Sequence, residues 1–319
     1  MTAPWTYIKD LPSREGTDVT VRGWLYNMRS SGKIHFLQLR DGTGTVQGVM
    51  VKKEVSEEDF SAAKSLWLEA SVEVTGTVRK DERAPSGVEL SVASVSVIQN
   101  PADEYPIGKK DHGIDFLLDN RHLWLRSSRQ QAIMRIRERV IWSAREFLHN
   151  DGYLLVDSPI ISGAAGEGVS GLFEIDYFDS KAYLAQTGQL YAEAAAAAFG
   201  RVYCFGPTFR AEKSKTRRHL TEFWMLEPEV AFFDHKDNMD LQERLICHIV
   251  SSVLEHCGNE LAALERDVSK LENIKAPFYH LQYGEAIEML KKLGSDTLYG
   301  EDLGNDDETI LTQQFDRPV

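Results

Sequence analysis

The apolar period of this chain changes once along its length. From Val19 to Ile98, Val, Leu, Ile and aromatic residues alternate with polar ones, the two-residue repeat of half-buried strands. From Ser128 onward the repeat becomes helical: Ile133, Ile136, Val140, Ala144 and Phe147 recur at spacings of three and four. One chain of 319 residues must therefore hold an all-β region and a mixed one, a length that suits two domains. In the first region VTVRGWLYNMRSSGKIHFLQLRDGTGTVQGVMV reads as three strands with SSG and DGTG as turns. Ser56 and Asp59 predict a capping box opening a helix over SEEDFSAAKSLWLE, followed by strands at ASVEVTGTVRK and GVELSVASVSVI. Three strands, a helix and two strands is the order of an OB-fold barrel, and it also suits any small all-β domain with one helix.

Residues 100–127, with two prolines, mixed charge and little periodicity, read as a linker between a barrel at 1–99 and a larger domain at 128–319. The Ser128 helix should stop at Asn150-Asp151-Gly152. Strands are expected at YLLVDSPIISG, where Pro159 implies an edge or bend, and at KAYLAQT, RVYCFGPTFRAE and EFWMLEPEVAFF. Helices are expected at YAEAAAAAFG, MDLQERLICHIVSSVLEHC and YGEAIEMLKKLG. Strands gathered together with helices outside give an α+β layer with an antiparallel sheet.

Composition narrows the function classes. Apolar residues at 42% and charged ones at 27% are globular values, and no run approaches the roughly 20 apolar residues of a membrane span. MTAPWTYIKD has no basic segment followed by an apolar one, so no secretory signal is expected. Cys204, Cys247 and Cys257 are widely spaced with no CxxC, which fits a reducing cytoplasm and neither a disulfide framework nor a cysteine zinc site. The net charge of −13 counts against nucleic-acid binding, yet residues 1–100 hold 12 Lys/Arg against 13 Asp/Glu. Val19–Arg40 carries Arg22, Arg29, Lys33 and Arg40 and no acid, so a local basic face is possible there.

No P-loop, nucleophile elbow, zincin helix or kinase signature occurs. The glycine run from Gly163 to Gly171 suits either backbone contact with a ligand or a solvated loop. The densest feature is TFRAEKSKTRRHLTEFWMLEPE: Arg210 to Arg218 holds five cations and one acid, flanked by two apolar strands, so a hairpin is expected with KSKTRRHL as its loop. Strand alternation puts Arg210 and Glu212 on one face. A guanidinium can fork onto a phosphate while the carboxylate accepts from an adenine amino group; a cross-strand ion pair on a solvated sheet accounts for the same residues.

FRAE followed by RRHLTEFWMLEPE resembles motif 2 of the class II aminoacyl-tRNA synthetases. SPIIS after a long helix resembles their motif 1, and VRGW…FLQLRDGTGTVQ resembles the OB-fold anticodon-binding domain of the aspartyl/asparaginyl/lysyl branch. TGQLYAEA and RHLTEFWMLEPE are most similar to the asparaginyl members. Several motifs in order across two domains make the resemblance specific. It implies an N-terminal OB-fold barrel followed by the first part of a class II antiparallel-sheet catalytic domain, with asparagine–tRNA ligase activity. A noncatalytic RNA-binding paralogue and an aspartyl enzyme stand as alternatives.

By resemblance, Arg210 is the catalytic residue, gripping the α-phosphate of ATP and the amino-acid carboxylate. Glu212 meets the adenine amino group, Arg218 and His219 reach the distal phosphates from the hairpin loop, Leu220 is a further ATP-binding residue, and Phe223 stacks under the adenine. Glu167 contacts the substrate ammonium and Gln189 borders the amino-acid pocket. Glu193 is a candidate amide acceptor or a helix-surface glutamate. Where aspartyl enzymes read QLYK, this chain has Gln189-Leu190-Tyr191-Ala192, and without the lysine a neutral amide becomes the better guest. Arg29, Phe36 and Gln47 fall where the family stacks and reads anticodon bases; alternation puts Phe36 opposite Leu37 and Leu39, outside the barrel. Two departures stand out. Gly171 replaces a residue usually acidic, and the sequence stops at FDRPV, before the magnesium-binding carboxylates and motif 3, which are expected beyond residue 319, leaving no metal ligands within the chain. The resemblance further implies ATP and Mg2+ as cofactors, tRNA(Asn), asparagine and ATP as partners, no membrane, a cytoplasmic location and a homodimer through motif 1. The stripe Ile133 to Phe147 and the Pro159 strand would form that interface, or the stripe would pack inside its own domain.

Overall fold

Alternation closes the first region into a barrel. In the computed structural model, which describes residues 3–84, 86–108, 110–163, 171–213 and 219–319, the strands are β1 (Asp18–Ser31), β2 (Ile34–Arg40), β3 (Thr45–Val51), β4 (Ser71–Lys80) and β5 (Val88–Gln99), with helix α1 (Glu57–Lys64) between β3 and β4. They pair in the closed order β1-β2-β3-β5-β4; only β3 and β5 run parallel, at Gly48↔Leu90 and Val49↔Ser91. The OB-fold expectation holds. Leu25, Leu37, Leu39, Met50, Val74 and Leu90 point inward and are at most 1% exposed, so each contributes roughly 1.5–3 kcal/mol of burial. Ser56 caps α1 by accepting from the Asp59 amide, at 3.0 Å, and the helix stops at Lys64, short of the Trp67 and Leu68 expected within it. The DGTG turn does more than reverse the chain. Asp41 Oδ1 accepts from the Thr43 and Gly44 amides, while Oδ2 accepts from the Ile8 amide at 2.7 Å, tying on the 3-10 helix Ile8–Arg14.

The chain divides into two compact units, Met1–Arg121 and His122–Val319, a boundary that falls inside the stretch read as a linker. That stretch also holds two short helices, α2 (Ile114–Asp119) and α3 (Arg121–Trp124), whose four to six residues are too short to show a period.

In the second unit α4 (Ser128–Asn150) is capped by Ser127 and ends at Asn150, as its sequence predicts. YLLVDSPIISG is not one strand. Pro159 divides it into β6 (Leu154–Leu155), which pairs parallel to a later strand, and β7 (Ile161–Ser162), which joins a different sheet. Then come β8 (Glu174–Tyr177), β9 (Ser180–Leu184), α5 (Gln189–Phe199), β10 (Arg201–Phe209), β11 (Glu222–Val230) and α6 (His235–His256). The tail carries α7 (Gly258–Ala263), α8 (Ser269–Glu272), α9 (Tyr283–Lys292) and α10 (Asn305–Thr312). The sheets are β11-β10-β6 and β7-β9-β8, antiparallel except at the two-residue β6 pairing. Strand β8 was not expected, because FEIDYF carries charge on alternate residues and lies nearly all exposed.

The α4 stripe is only partly covered within its own unit: Ala144 is buried, Ile136, Val140 and Phe147 are half-buried, and Ile133 stays 36% exposed. Ile136 and Val140 pack on Val253 of α6, Leu261 of α7 and Cys257 between them, and Phe147 joins the Leu148–Tyr203 cluster. The opposite side of α4 leaves Met134 and Trp142 exposed, at 43% and 55%. Among the described residues no helix is long and apolar enough to cross a membrane.

Candidate functional site

Arg29, Phe36 and Gln47 converge on the barrel wall. Register places Arg29 opposite Phe36 and Gln38 opposite Gln47. The Arg29 guanidinium lies 4.6 Å from the Phe36 ring centroid and donates to Gln47 Oε1 at 3.3 Å. Leu37 and Leu39 fill the core while Phe36 is half-exposed outside it. A cavity of about 840 Å3 opens here, lined also by Gln38 and by Asp81, Arg83 and Glu89 around the β4–β5 connection. Arg83 forks onto Asp81 with bonds of 3.0 and 3.1 Å, which holds the Asp81 carboxyl below its usual range. The basic face is smaller than the composition suggests. Arg40 is buried and forked onto Glu69 at 3.0 and 2.8 Å, and Arg22 pairs with Glu73 at 2.7 Å. Arg29 and Lys33 are the exposed cations of that stretch at this end.

In the second unit β10 and β11 form the expected hairpin, Phe209 opposite Glu222. Arg210 lies just past the end of β10, not within it; its amide donates to the Thr221 carbonyl at 3.0 Å, extending the pairing by one bond. Its guanidinium sits 5.5 Å from the Phe223 ring centroid. Glu212 therefore owes its place to the chain beyond the strand rather than to alternation. The Ala211 amide donates to the Gly171 carbonyl at 2.6 Å, and a Cβ built on Gly171 would stand 3.7 Å from both Glu212 Cγ and Gln186 Nε2. Gly171 has φ +85°, a conformation an acidic side chain holds only with strain. That is a local reason for glycine there. His219 and Leu220 are exposed on the return to β11. Glu167 and Arg218 lie outside the described residues.

Gln189 and Glu193 occupy one face of α5 and bond each other, Nε2 to Oε1 at 2.8 Å, both exposed. Glu193 is thus engaged on the helix surface. Ala192 is buried at 1% beside Ala196 and Val202, so the position carries no cation. A carboxylate that sequence did not single out is better placed: Glu227, half-buried on β11. Its Oε2 accepts from the Thr187 hydroxyl, and its Oε1 from the Gly188 amide at 3.0 Å and the Cys204 thiol at 3.5 Å. Gly188 is buried so tightly that a Cβ would collide with Cys204 Sγ and reach 2.7 Å from Ser158 Oγ. Burial, then the charge of Glu227, pushes the Cys204 thiol up to about 12, so it stays a donor. Burial and the neighbouring Glu193 and Glu227 raise Glu229. The signal available in sequence was a glutamate inside the apolar run FWMLEPEV; nothing there named its partners.

Phe223 and Glu227 are four residues apart on β11 and so share a face, separated by roughly 13 Å at about 3.4 Å per residue. Among the described residues no group of three or more His, Cys, Asp or Glu side chains forms a metal site.

Comparison with known proteins covers both units. Residues 113–317 match the family model described as tRNA synthetases class II (D, K and N), and residues 19–98 that of the OB-fold nucleic acid binding domain. The chain is 55% identical over 314 residues to an asparagine–tRNA ligase of Desulforamulus reducens, covering 98% of this chain and 73% of that protein. It is also 55% identical over 311 residues to that of Chloroflexus aurantiacus, covering 95% and 70%. The crystal structure of asparaginyl-tRNA synthetase from Pyrococcus horikoshii complexed with asparaginyl-adenylate superposes with a TM-score of 0.93 at 43% identity, over 99% of this chain and 73% of that one. With motif, barrel, hairpin and whole-chain similarity in agreement, the chain belongs to the asparagine–tRNA ligases, class II aminoacyl-tRNA synthetases of the aspartyl, lysyl and asparaginyl branch.

Proposed function

We propose that the β11 face from Phe223 to Glu227 holds asparaginyl-adenylate, adenine at the Phe223 end and the asparagine amide at Glu227. The observation that carries this is the spacing. A nucleobase platform and a donor-seeking carboxylate lie roughly 13 Å apart on one strand, with Arg210 beside the first and within reach of a phosphate between them. Activation is in-line attack of the ionised asparagine carboxylate on the α-phosphorus of ATP, with pyrophosphate leaving. No base is required, so Arg210 acts by position and charge, forking onto the phosphate and the attacking carboxylate. Glu212 accepts from the adenine amino group. Arg218 and His219 reach the distal phosphates, Leu220 is a further ATP-binding residue, Glu167 contacts the ammonium and Gln189 borders the amino-acid pocket. The terminal hydroxyl of tRNA(Asn) then attacks the adenylate carbonyl and AMP departs.

Residues 1–99 serve as the anticodon-binding domain, with 100–127 as linker and 128–319 as the motif 1 and motif 2 part of the catalytic domain. An unpaired base stacks on Phe36 beside Arg29 and bonds Gln47 through its edge. Three unpaired thiols suit the cytoplasm. The homodimer uses motif 1, the exposed part of α4 at Ile133, Met134 and Trp142 together with the Pro159 strand, where Ile160 and Ile161 are exposed; a monomer in sedimentation of the full-length protein at micromolar concentration refutes it. The ligase assignment is tested by asparagine-dependent pyrophosphate exchange in the full-length protein. No exchange, with anticodon stem-loop binding intact, favours the noncatalytic RNA-binding alternative. Exchange with aspartate at equal kcat/KM favours the aspartyl one.

A further inference from the structure

Glu227 is held by more donors than a packing role requires. Thr187 lies between β9 and α5, and its hydroxyl oxygen already accepts the Gln189 amide hydrogen at 3.0 Å. The hydroxyl proton is thereby directed elsewhere, and it goes to Glu227 Oε2. The Gly188 amide and the Cys204 thiol take Oε1. A carboxylate offers about four acceptor positions. With three filled from the protein, Glu227 is fixed as a pure acceptor with one direction left for an incoming donor. An asparagine amide supplies N–H donors; an aspartate carboxylate supplies none and adds a like charge.

We propose that Thr187 is a positioning residue for amide recognition: its hydroxyl aims the Glu227 carboxylate so that the remaining acceptor meets the side-chain amide of asparagine and repels aspartate. The inference rests on the proposed role of Glu227, and the two fail separately. The Gly188 amide cannot be removed by substitution, and the thiol is a weak donor. Thr187 is therefore the one strong side-chain donor that chemistry can withdraw.

The test is pyrophosphate exchange by the full-length enzyme with asparagine and with aspartate, on Thr187→Val, Thr187→Ser, Cys204→Ala and Glu227→Gln. Thr187→Val keeps the volume and loses the hydroxyl. It should raise the asparagine KM about tenfold, leave the ATP KM unchanged, and lower the asparagine-to-aspartate ratio of kcat/KM about tenfold, the size expected for one hydrogen bond to a charged group. Thr187→Ser, which restores the hydroxyl, should stay within about threefold of wild type. Cys204→Ala should lower the ratio about threefold through the weaker donor, and it carries the test if Thr187→Val does not fold. Glu227→Gln probes the underlying assignment. An unchanged asparagine KM there defeats the role of Glu227 itself. Lost discrimination in Glu227→Gln, with wild-type ratios in the Thr187 and Cys204 variants, leaves Glu227 standing and overturns the inference. An equal loss in Thr187→Val and Thr187→Ser, or a shifted ATP KM, also overturns it, since a merely structural role would not separate valine from serine.

Discussion

The barrel and the second unit bury their apolar residues in different ways. The barrel gathers twenty buried hydrophobic side chains into one cluster closed by its own strands. In the second unit, among the described residues, buried apolar side chains form four small clusters of three or four each, α4 with β10, α5 with β10, α4 with α6 and α7, and α9 with α10, and others such as Ala144, Leu245 and Ile287 are buried outside them. A closed sheet has no edges and one interior, so its wall is free to carry a binding face without loss of core. The second unit's two three-stranded sheets are open; Glu227 lies within β11, and Arg210 and Glu212 lie just past the end of β10. A binding module and a reaction site thus draw on opposite uses of β-structure.

The largest expected effect sets one unit's chemistry against the other's binding. Arg210→Ala in the full-length protein should reduce asparagine-dependent exchange by about 10^3-fold or more, the scale of losing a donor to developing charge. Affinity for the anticodon stem-loop should not change. Exchange at wild-type rate would remove the motif 2 assignment.

Next is the contrast of cores. Leu37→Ala, at 0% exposure in the single barrel cluster, should cost the isolated Met1–Arg121 unit about 2–5 kcal/mol in urea unfolding. Leu290→Ala, equally buried but in the small α9–α10 cluster, should lie near the lower end of that range, because a small cluster collapses more readily around a void. Equal costs, or a multistate barrel transition, would break the distinction between one core and several.

Phe36→Ala should weaken stem-loop binding by about 1–3 kcal/mol, the usual value of one stacked base, with exchange kinetics untouched. A fluorescence titration at fixed salt measures it.

The smallest effect is on pH. His35 stacks on Phe60 at 4.0 Å and its Nδ1 is bonded to Ser30 Oγ; burial, then nearby Lys64, lowers its pKa below 6.5. The folded barrel therefore binds this proton less readily than the unfolded chain does. The contribution of neutral His35 is fully present above about pH 6.5 and is lost as pH falls from there through the folded value. The urea midpoint of the barrel should fall from pH 7 to pH 5, and His35→Gln should flatten that slope. An unchanged slope in the variant would clear His35 of the effect.

The barrel was legible because its evidence is local. Alternation set which side of β2 holds Leu37 and Leu39, hence that Phe36 lies outside, and register followed from SSG and DGTG. Arg40 was not legible: its exposure depends on Glu69, which stands 29 positions away and meets it only when β1, β2 and the segment before β4 close together. The α4 stripe had the right period for either an interface or an interior; contact with α6 and α7 half-buries Ile136 and Val140 and leaves Ile133 exposed, so period alone could not assign it. At the site, the cation cluster singled out Arg210 and Glu212 and the family resemblance added Phe223, while Glu227 was passed over because a glutamate in a strand has no visible partner in sequence.

By itself the sequence determined the periods, the first-helix cap, the order of strands and helix along the barrel region and the order of the motifs, all of which depend on residues within a few positions of one another; which strands pair across the closure, as β1 with β4, it did not. Only the tertiary structure decided which charges stay in water and which are paired, where Pro159 sends its two half-strands, and that Thr187, Gly188 and Cys204 meet on Glu227. Those outcomes turn on desolvation and hydrogen-bond geometry between segments tens of residues apart, and neither quantity exists until the chain has closed on itself.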